Sequence, residues 1–249
     1  MKKKSVEAFY QGHSLHAYEL FGAHPCVEKG IKGVRFTTFA PKANKIQVIG
    51  SFNDWSCEGH YMKKADQNGI WSCFVEGAKV GDVYKYRIDQ CSGRIVDKMD
   101  PYAFYSELRP NTASVVADLS MKWSDEKWMA SRSIHLDQPV NIYEVHMGSW
   151  KHNEEGGWPT YRSIAKELIA YVKDHHFTHI ELMPLNEHPF DGSWGYQCSG
   201  YFSVTSRYGS AQDLMYLVNA CHKAGIGVIM DYVPVHFVRD DFSLARYDG

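Results

Sequence analysis

Hydrophobic positions follow a different pattern in each half of the chain. From about residue 33 to residue 100, apolar and polar residues alternate in short runs, as at Val34 and Phe36. Alternation with a period of two places one face of a β-strand in a core and the other in water. Turn-forming pairs such as Ser92-Gly93 separate these runs. The first half is therefore predicted to be an antiparallel β-sandwich.

From Asn141 onward, apolar runs of strand length alternate with segments of helical periodicity. The runs lie at 141–147, 178–183 and 226–230. Ile164, Leu168 and Val172 recur at helical spacing in the first intervening segment, and the second begins with a capping-box pattern at Ser210. Because each crossover helix returns the chain to the same end of the sheet, the strands are predicted to be parallel. A doubly wound sheet and a (β/α)₈ barrel both fit this order.

Composition narrows the classes of function. The 249 residues include 27 lysines and arginines against 29 aspartates and glutamates, and the net charge of −2 argues against binding to nucleic acid or to an acidic membrane. The sequence shows no signal peptide, no apolar run that could span a bilayer and no CxxC pair among its six cysteines, so we expect a cytoplasmic protein. It also shows no metal-ligand spacing and no glycine fingerprint for a nucleotide, so we expect no metal and no cofactor.

Candidate chemistry lies where the predicted parallel strands end, because reactive side chains collect at that edge. Asp231 follows the third strand, and the long loop after the second strand carries Trp194, Tyr196 and Gln197. Aromatic rings that cover the apolar face of a sugar, beside polar groups that bind its hydroxyls, favour a sugar-binding site. The alternatives are core packing of the aromatic residues and, for Asp231, a role as a helix cap or salt-bridge partner.

Several segments resemble a known family. Residues 50–55 (GSFNDW) and 100–103 (DPYA) are similar to the carbohydrate-binding sandwich of glycogen branching enzymes. Residues 141–150 (NIYEVHMGSW) and 179–197 (HIELMPLNEHPFDGSWGYQ) resemble the first two barrel strands of those enzymes and the loop that follows. Residues 231–236 (DYVPVH) resemble the first shared region of the α-amylase superfamily. The loop after the second strand is the part most specific to branching enzymes.

The resemblance implies a multidomain fold of β and α/β parts. An N-terminal antiparallel β-sandwich is followed by the first three βα units of a (β/α)₈ TIM barrel, which is incomplete because three strands cannot close a barrel. The expected organisation is an N-terminal segment at 1–25, a carbohydrate-binding module at 26–118, a linker at 119–140 and the truncated barrel at 141–249. We expect the chain to be part of a longer enzyme.

The resemblance also implies an activity. Branching enzymes cleave an α-1,4 glucan and transfer the released segment to a 6-hydroxyl, which forms the α-1,6 branches of glycogen. They are retaining hexosyltransferases with an aspartate nucleophile and a glutamate acid/base. By the family pattern both residues lie beyond residue 249, so we expect no catalytic residue in this chain and no transferase activity from it alone. Its expected partners are α-glucans, such as glycogen and amylose, and the missing C-terminal part of the enzyme.

Residues of the family's sugar pocket carry over position by position. The resemblance implies that Tyr196 stacks under the sugar at the cleavage point, that Asp231 accepts hydrogen bonds from sugar hydroxyls, and that His236 donates one. Trp194 and Gln197 are expected to belong to the same substrate-binding site.

Two further positions are noted, one as a candidate glycan contact and one as a departure from the family pattern. Trp55 in the GSFNDW segment is a candidate glycan contact, with packing in the sandwich or against the next domain as the alternative. His176 departs from the family pattern, in which glycine usually follows the first barrel helix. A histidine there would adopt left-handed backbone geometry at a cost on the order of 1 kcal/mol.

Two other functions remain open from the sequence. A non-catalytic glycan-binding or partner-binding module would use the sandwich and keep the α/β half as a docking remnant. An isoamylase-like or trehalose-releasing hydrolase of the same superfamily would share the sandwich motif but not the loop after the second strand.

Overall fold

The structure is a computed structural model that describes residues 3–132 and 137–249. Residues 133–136 of the predicted linker lie outside the described part. The chain folds into two compact units, the first comprising Met1–Ala117, Ser199–Ser203 and Phe237–Gly249, and the second comprising Asp118–Cys198 and Val204–His236. The domain boundaries expected from the sequence stay predictions.

The first unit contains a helix and two antiparallel sheets. Its elements are α1 (Lys3–Tyr10), β1 (Gly22–Glu28), β2 (Ile31–Phe39), β3 (Lys45–Gly50), β4 (Lys63–Lys64), β5 (Ile70–Glu76), β6 (Val83–Asp89), β7 (Ile95–Lys98) and β8 (Ser114–Val115). One sheet has the order β1-β2-β5-β4, and the other has the order β3-β6-β7 with β8 paired to β6. Neighbouring strands are antiparallel throughout both sheets.

Both sheets contribute to one hydrophobic core. Val34 and Phe36 of β2 and Tyr84 and Tyr86 of β6 are fully buried in it, which follows from the period-two alternation of these strands. Burial of each side chain of this size contributes about 2 kcal/mol relative to exposure. The predicted β-sandwich is confirmed.

A carboxylate lies inside this unit. Asp100 is fully buried, and its carboxylate accepts hydrogen bonds from Tyr84 Oη (2.7 Å), Tyr86 Oη (3.0 Å) and the backbone N–H of Tyr102 (2.9 Å). Burial raises the pKa of Asp100 to about 6, although these hydrogen bonds act to lower it.

The second unit contains a parallel sheet and its crossover helices. The elements that complete the chain are α2 (Glu126–Ser131), β9 (Ile142–Val145), α3 (Met147–Trp150), α4 (Tyr161–Asp174), β10 (His179–Leu182), β11 (Asn186–Glu187), β12 (Gly200–Val204), α5 (Ala211–Lys223) and β13 (Gly227–Met230). Residues 200–203 of β12 belong to the first unit. Strands β9, β10 and β13 form an open parallel sheet with β10 in the centre. Helix α4 connects β9 to β10, and α5 precedes β13, whereas no helix follows β13 within the described residues.

Both crossover helices are capped at their N-termini, and the cap of α5 is the one that its sequence predicts. Thr160 caps α4 by accepting a hydrogen bond from Ser163 N, and Ser210 caps α5 by accepting one from Asp213 N. Gly225, with φ 79°, follows the end of α5. The predicted fold class, a β-sandwich followed by the first strands of an α/β barrel, is confirmed. In the described residues, no helix is both long enough and apolar enough to cross a membrane.

Candidate functional site

Two predicted site residues meet at the carboxyl edge of the parallel sheet. Tyr196 lies in the loop after β10, and Asp231 directly follows β13, the strand next to β10. Tyr196 Oη donates a hydrogen bond of 2.8 Å to Asp231 Oδ2. The backbone N–H of Asp231 donates to Leu182 O at 3.0 Å, which continues the β10–β13 pairing. The bond between Tyr196 and Asp231 fixes the phenol ring beside this edge.

Negative charge surrounds the Tyr196 hydroxyl. The hydrogen bond to Asp231 is the main reason that the pKa of Tyr196 is raised to about 12, followed by burial and by the charge of Asp231. Glu144 of β9 and Glu181 of β10 are paired across the sheet, and their charges raise the pKa further. This edge therefore presents a neutral phenol and several carboxylates, which suit hydroxyl donors and developing positive charge.

A tight turn in the same loop presents Trp194. The turn Asp191–Ser193 ends with Trp194 in left-handed geometry (φ 54°), and the backbone N–H of Trp194 donates to Asp191 O at 3.0 Å. Gly195 follows with φ 90°, and a Cβ at that position would collide with the carbonyl oxygen of Pro184. Trp194 is 56% exposed, so its indole is available to a ligand.

His146 is a neighbour of this turn that the sequence did not single out as a site residue. It follows β9, and its ring lies 6.0 Å from the Trp194 ring between centroids. Its Nδ1 is 2.9 Å from Ser149 Oγ, and burial lowers its pKa. Its position at the end of the first parallel strand was the only sequence signal for it.

A buried arginine stabilises the loop after β10 through two ion pairs. The Arg207 side chain is 1% exposed, and Nη1 donates to Glu187 Oε1 at 2.8 Å while Nη2 donates to Asp191 Oδ1 at 2.7 Å. Glu187 is itself only 7% exposed as a side chain and also accepts from the backbone N–H of Ser206 at 2.8 Å. The ion pairs join both ends of the loop that carries Trp194 and Tyr196. This network was not predicted, because no motif links residues twenty positions apart.

The remaining predicted residues lie apart from the pair. Gln197 is exposed on the loop, and His236 is exposed with left-handed backbone geometry (φ 66°). Within the described residues, neither makes a hydrogen bond to Tyr196 or Asp231. The roles expected for these residues stay predictions. In the same part of the chain, no group of three or more His, Cys, Asp or Glu side chains could hold a metal ion.

Trp55 belongs to the first unit. The turn that carries it is held by Asn53, whose Oδ1 accepts from Gly50 N at 2.9 Å, and by a bond of 2.9 Å from Trp55 N to Gly50 O. Asp54 and Trp55 both have left-handed geometry (φ 52° and 58°). The Trp55 side chain is left 40% exposed, which leaves a flat ring surface open to solvent.

Comparison with known proteins matches both halves of the chain. The family profile of carbohydrate-binding module 48 (isoamylase N-terminal domain) matches residues 20–103, and that of the alpha amylase catalytic domain matches residues 144–245. A solved structure described as a putative alpha amylase from Salmonella typhimurium has a TM-score of 0.66 and 24% identity, and the match covers 88% of this chain and 35% of that one. At that identity the likeness shows the fold alone.

Closer relatives are 1,4-alpha-glucan branching enzymes (GlgB). The chain is 47% identical to the enzyme of Bacillus cytotoxicus over 99% of its length, 49% identical to that of Geobacillus stearothermophilus over 98%, and 52% identical to that of Halothermothrix orenii over 97%. It spans 39% of the length of each of these relatives. The resemblance seen in the sequence is thus confirmed: the chain is related, over nearly all of its own length, to the glycogen branching enzymes of the α-amylase superfamily.

Proposed function

We propose that this chain is the N-terminal part of a 1,4-α-glucan branching enzyme and supplies part of its α-glucan site. The observation that carries the proposal is the hydrogen bond of 2.8 Å between Tyr196 and Asp231. It joins two residues that the resemblance assigns to the sugar pocket, at the edge of the sheet where the family places its chemistry. The identity of 47–52% to branching enzymes favours this activity over an isoamylase-like or trehalose-releasing hydrolase.

In the proposed site, each group contributes to binding rather than to bond cleavage. The Tyr196 ring stacks against the apolar face of a glucose unit, and its bond to Asp231 keeps the ring from rotating away. Asp231 Oδ1 makes no hydrogen bond within the described residues, which leaves it as an acceptor for a sugar hydroxyl. Trp194 extends the aromatic surface, and His236 is proposed to donate to a second hydroxyl.

The carboxylates at this edge can stabilise the positive charge that develops during cleavage of a glycosidic bond. A glycosidic bond breaks through a transition state that resembles an oxocarbenium ion, and nearby negative charge stabilises that cation. Retention requires two carboxyl groups about 5 Å apart on either side of the bond. We propose that this pair comes from the remainder of the enzyme and that the chain alone does not turn over substrate.

Titration of the chain with maltoheptaose tests the binding site. We expect Tyr196→Ala to weaken binding by at least about fivefold, because stacking of a ring on a sugar contributes about 1 kcal/mol or more. Tyr196→Phe keeps the ring and should weaken binding less. Tyr216→Ala, at an exposed tyrosine on α5, is the matched control and should bind as the original chain does. Equal affinity of all four proteins would overturn the proposal.

Incubation with amylose tests the absence of turnover. We expect unchanged iodine staining and no new α-1,6 linkages when the chain is the only protein present. Formation of branches by this polypeptide alone would refute the expectation, since it would require a nucleophile and an acid/base within these residues.

A glycan-binding role of the sandwich is the second candidate, and the exposure of Trp55 favours it. Co-sedimentation with glycogen compares the chain with Trp55→Ala and with the control Trp123→Ala, which removes an exposed tryptophan of the second unit. Loss of sedimentation with Trp55→Ala alone supports a surface site on the sandwich. Equal sedimentation of all three proteins excludes Trp55 as the contact.

We also propose a cytoplasmic location, without nucleic acid or membrane partners. The six cysteines, all within the described residues, form no disulfide, as is usual in a reducing compartment. Cell fractionation with an antibody against the chain tests the proposal, and recovery in a secreted or membrane fraction would contradict it.

A further inference from the structure

A groove in the first unit contains none of the candidate site residues described above. It has a volume of about 1130 Å³ and lies between the segment that includes α1 and the face of the β1-β2-β5-β4 sheet that points away from the sandwich core. Residues from Lys4 to Leu20 line one wall, and residues of all four strands line the other. We call this cavity the N-terminal groove. Its size is that of a pocket for a small molecule.

The register of the strands explains why polar side chains line the groove. Thr37 of β2 pairs with Ser72 of β5, and Ser72 pairs with Lys63 of β4, so the three side chains form a row on one face. Their chain neighbours Phe36 and Trp71 point to the opposite face and pack in the core. The hydroxyls of Thr37 and Ser72 are 3.1 Å apart, which fixes the floor of the groove.

The charges in the N-terminal groove do not balance. Four of its lining residues are cations, namely Lys4, Arg35, Lys63 and Lys64, whereas its carboxylates are Glu19 and Glu28. Three histidines, His13, His16 and His24, also line it. This excess of positive charge is local, because the chain as a whole carries a net charge of −2.

Of the two carboxylates, Glu28 forms an ion pair with an arginine, and Glu19 lies near a histidine. Arg35 Nε donates to Glu28 Oε1 at 2.7 Å, and this pairing lowers the pKa of Glu28. His16 Nδ1 lies 3.8 Å from Glu19 Oε1. In contrast, no carboxylate of the described residues lies within 4 Å of the ammonium groups of Lys63 and Lys64. Lys64 pairs with Trp71 and shares its face of the sheet, opposite to that of Lys63, and the Lys64 ammonium lies 5.1 Å from the centre of the Trp71 ring.

We propose that the N-terminal groove binds a small phosphate ester, with its dianionic phosphoryl group between Lys63 and Lys4. Lysine ammonium groups form strong charge-assisted hydrogen bonds with phosphate oxygens. The organic part of the ester lies along the floor of Thr37 and Ser72. A free phosphate ion fills only a small fraction of the volume, and a polyanion is repelled by the negative chain outside the groove. A sugar phosphate, which carries one phosphoryl group and several hydroxyls, is the proposed occupant.

Calorimetric titration at low ionic strength tests this proposal with three probes: glucose 6-phosphate, inorganic phosphate and glucose. We expect saturable binding of glucose 6-phosphate, binding of inorganic phosphate that is at least about fivefold weaker, and no binding of glucose. Added salt should weaken the binding of glucose 6-phosphate because the lysines are exposed. Equal affinities for inorganic phosphate and glucose 6-phosphate would overturn the ester part of the proposal.

Charge-matched variants locate the site. We expect Lys63→Gln to weaken binding of glucose 6-phosphate by about twofold to fivefold, since an exposed ion pair contributes about 1 kcal/mol or less. Lys122→Gln removes one exposed lysine of the second unit and should leave affinity unchanged.

Lys4→Gln gives a second, independent test from α1, outside the short edge strand β4, and should weaken binding severalfold. Unchanged affinity in both groove variants, or an equal loss in the control, would overturn the proposal. Absence of saturable binding of any phosphate to the original chain would do the same.

Discussion

Asp100 provides a quantitative test of how the sandwich tolerates a buried carboxylate. The side chain is fully buried, and three groups donate hydrogen bonds to it: Tyr84 Oη, Tyr86 Oη and the backbone N–H of Tyr102. Burial nevertheless raises the pKa of Asp100 from 3.8 to about 6. The negative form is therefore harder to hold in the folded chain than in the unfolded chain.

The sign of the effect follows from where protons bind. Below pH 3.8 the Asp100 carboxyl is protonated in both the folded and the unfolded chain. Its stabilising contribution to the free energy of unfolding therefore has its full value there. Between 3.8 and about 6 only the folded chain holds the proton, and the contribution is lost as the pH rises through that range. At about 1.4 kcal/mol for each pH unit, the loss amounts to about 3 kcal/mol above pH 6.

The perturbation is Asp100→Asn, which has nearly the same shape and no charge at any pH. Misdirected amide hydrogen bonds add a constant cost, but they add no dependence on pH in this range. We expect the difference in unfolding free energy between the original chain and Asp100→Asn to fall by more than about 2 kcal/mol from pH 4 to pH 7.5.

Urea unfolding at a series of pH values measures this difference. Carboxylates with lowered pKa values, such as Asp66 and Asp213, lose their stabilising contributions as the pH falls, but they do so equally in both proteins and cancel. Five titratable side chains interact electrostatically with Asp100. Four are tyrosines that remain neutral over this pH range, namely Tyr84, Tyr86, Tyr102 and Tyr247, and the fifth is His24. Asp54→Asn, at an exposed aspartate of the same unit, should follow the original chain. Parallel curves for the original chain and Asp100→Asn would refute the reasoning.

Three further predictions concern the second unit, each measured as a change in urea unfolding free energy against the original chain. Leu168→Ala should destabilise by about 3 kcal/mol because Leu168 is fully buried, and a loss below about 1 kcal/mol would contradict the packing. His176→Gly should stabilise by about 1 kcal/mol because His176 has left-handed geometry (φ 58°), and a decrease in stability would exclude strain there. Arg207→Met should cost about 3 kcal/mol or more because it leaves Glu187 buried without its cation, whereas the pair of substitutions Arg207→Met and Glu187→Met should cost less; a larger cost for the pair would contradict the ion-pair argument.

The sequence determined the elements of this protein and their order. Period-two alternation around Val34 and Phe36 placed those side chains in a sandwich core, and the capping box at Ser210 marked the start of α5. The left-handed geometry expected at His176 is also present. These signals can be read because each acts over a few residues: strand alternation, helical spacing and capping depend on neighbours within about one turn or one strand. The family resemblance added the candidate sugar residues for the same reason, since its motifs are short.

Only the tertiary structure decided which distant side chains meet. The bond between Tyr196 and Asp231 spans 35 positions, and the partners of Asp100 come from strand β6 and from the residues that follow β7. Nothing in the sequence indicated that Arg207 would be buried between Glu187 and Asp191, or that unpaired lysines would gather in one groove. Such contacts depend on strand register and on how loops close, and every residue between the partners contributes to both. A local pattern therefore predicts a side chain's face of a strand or helix, whereas its partner emerges only when the sheets and loops have packed.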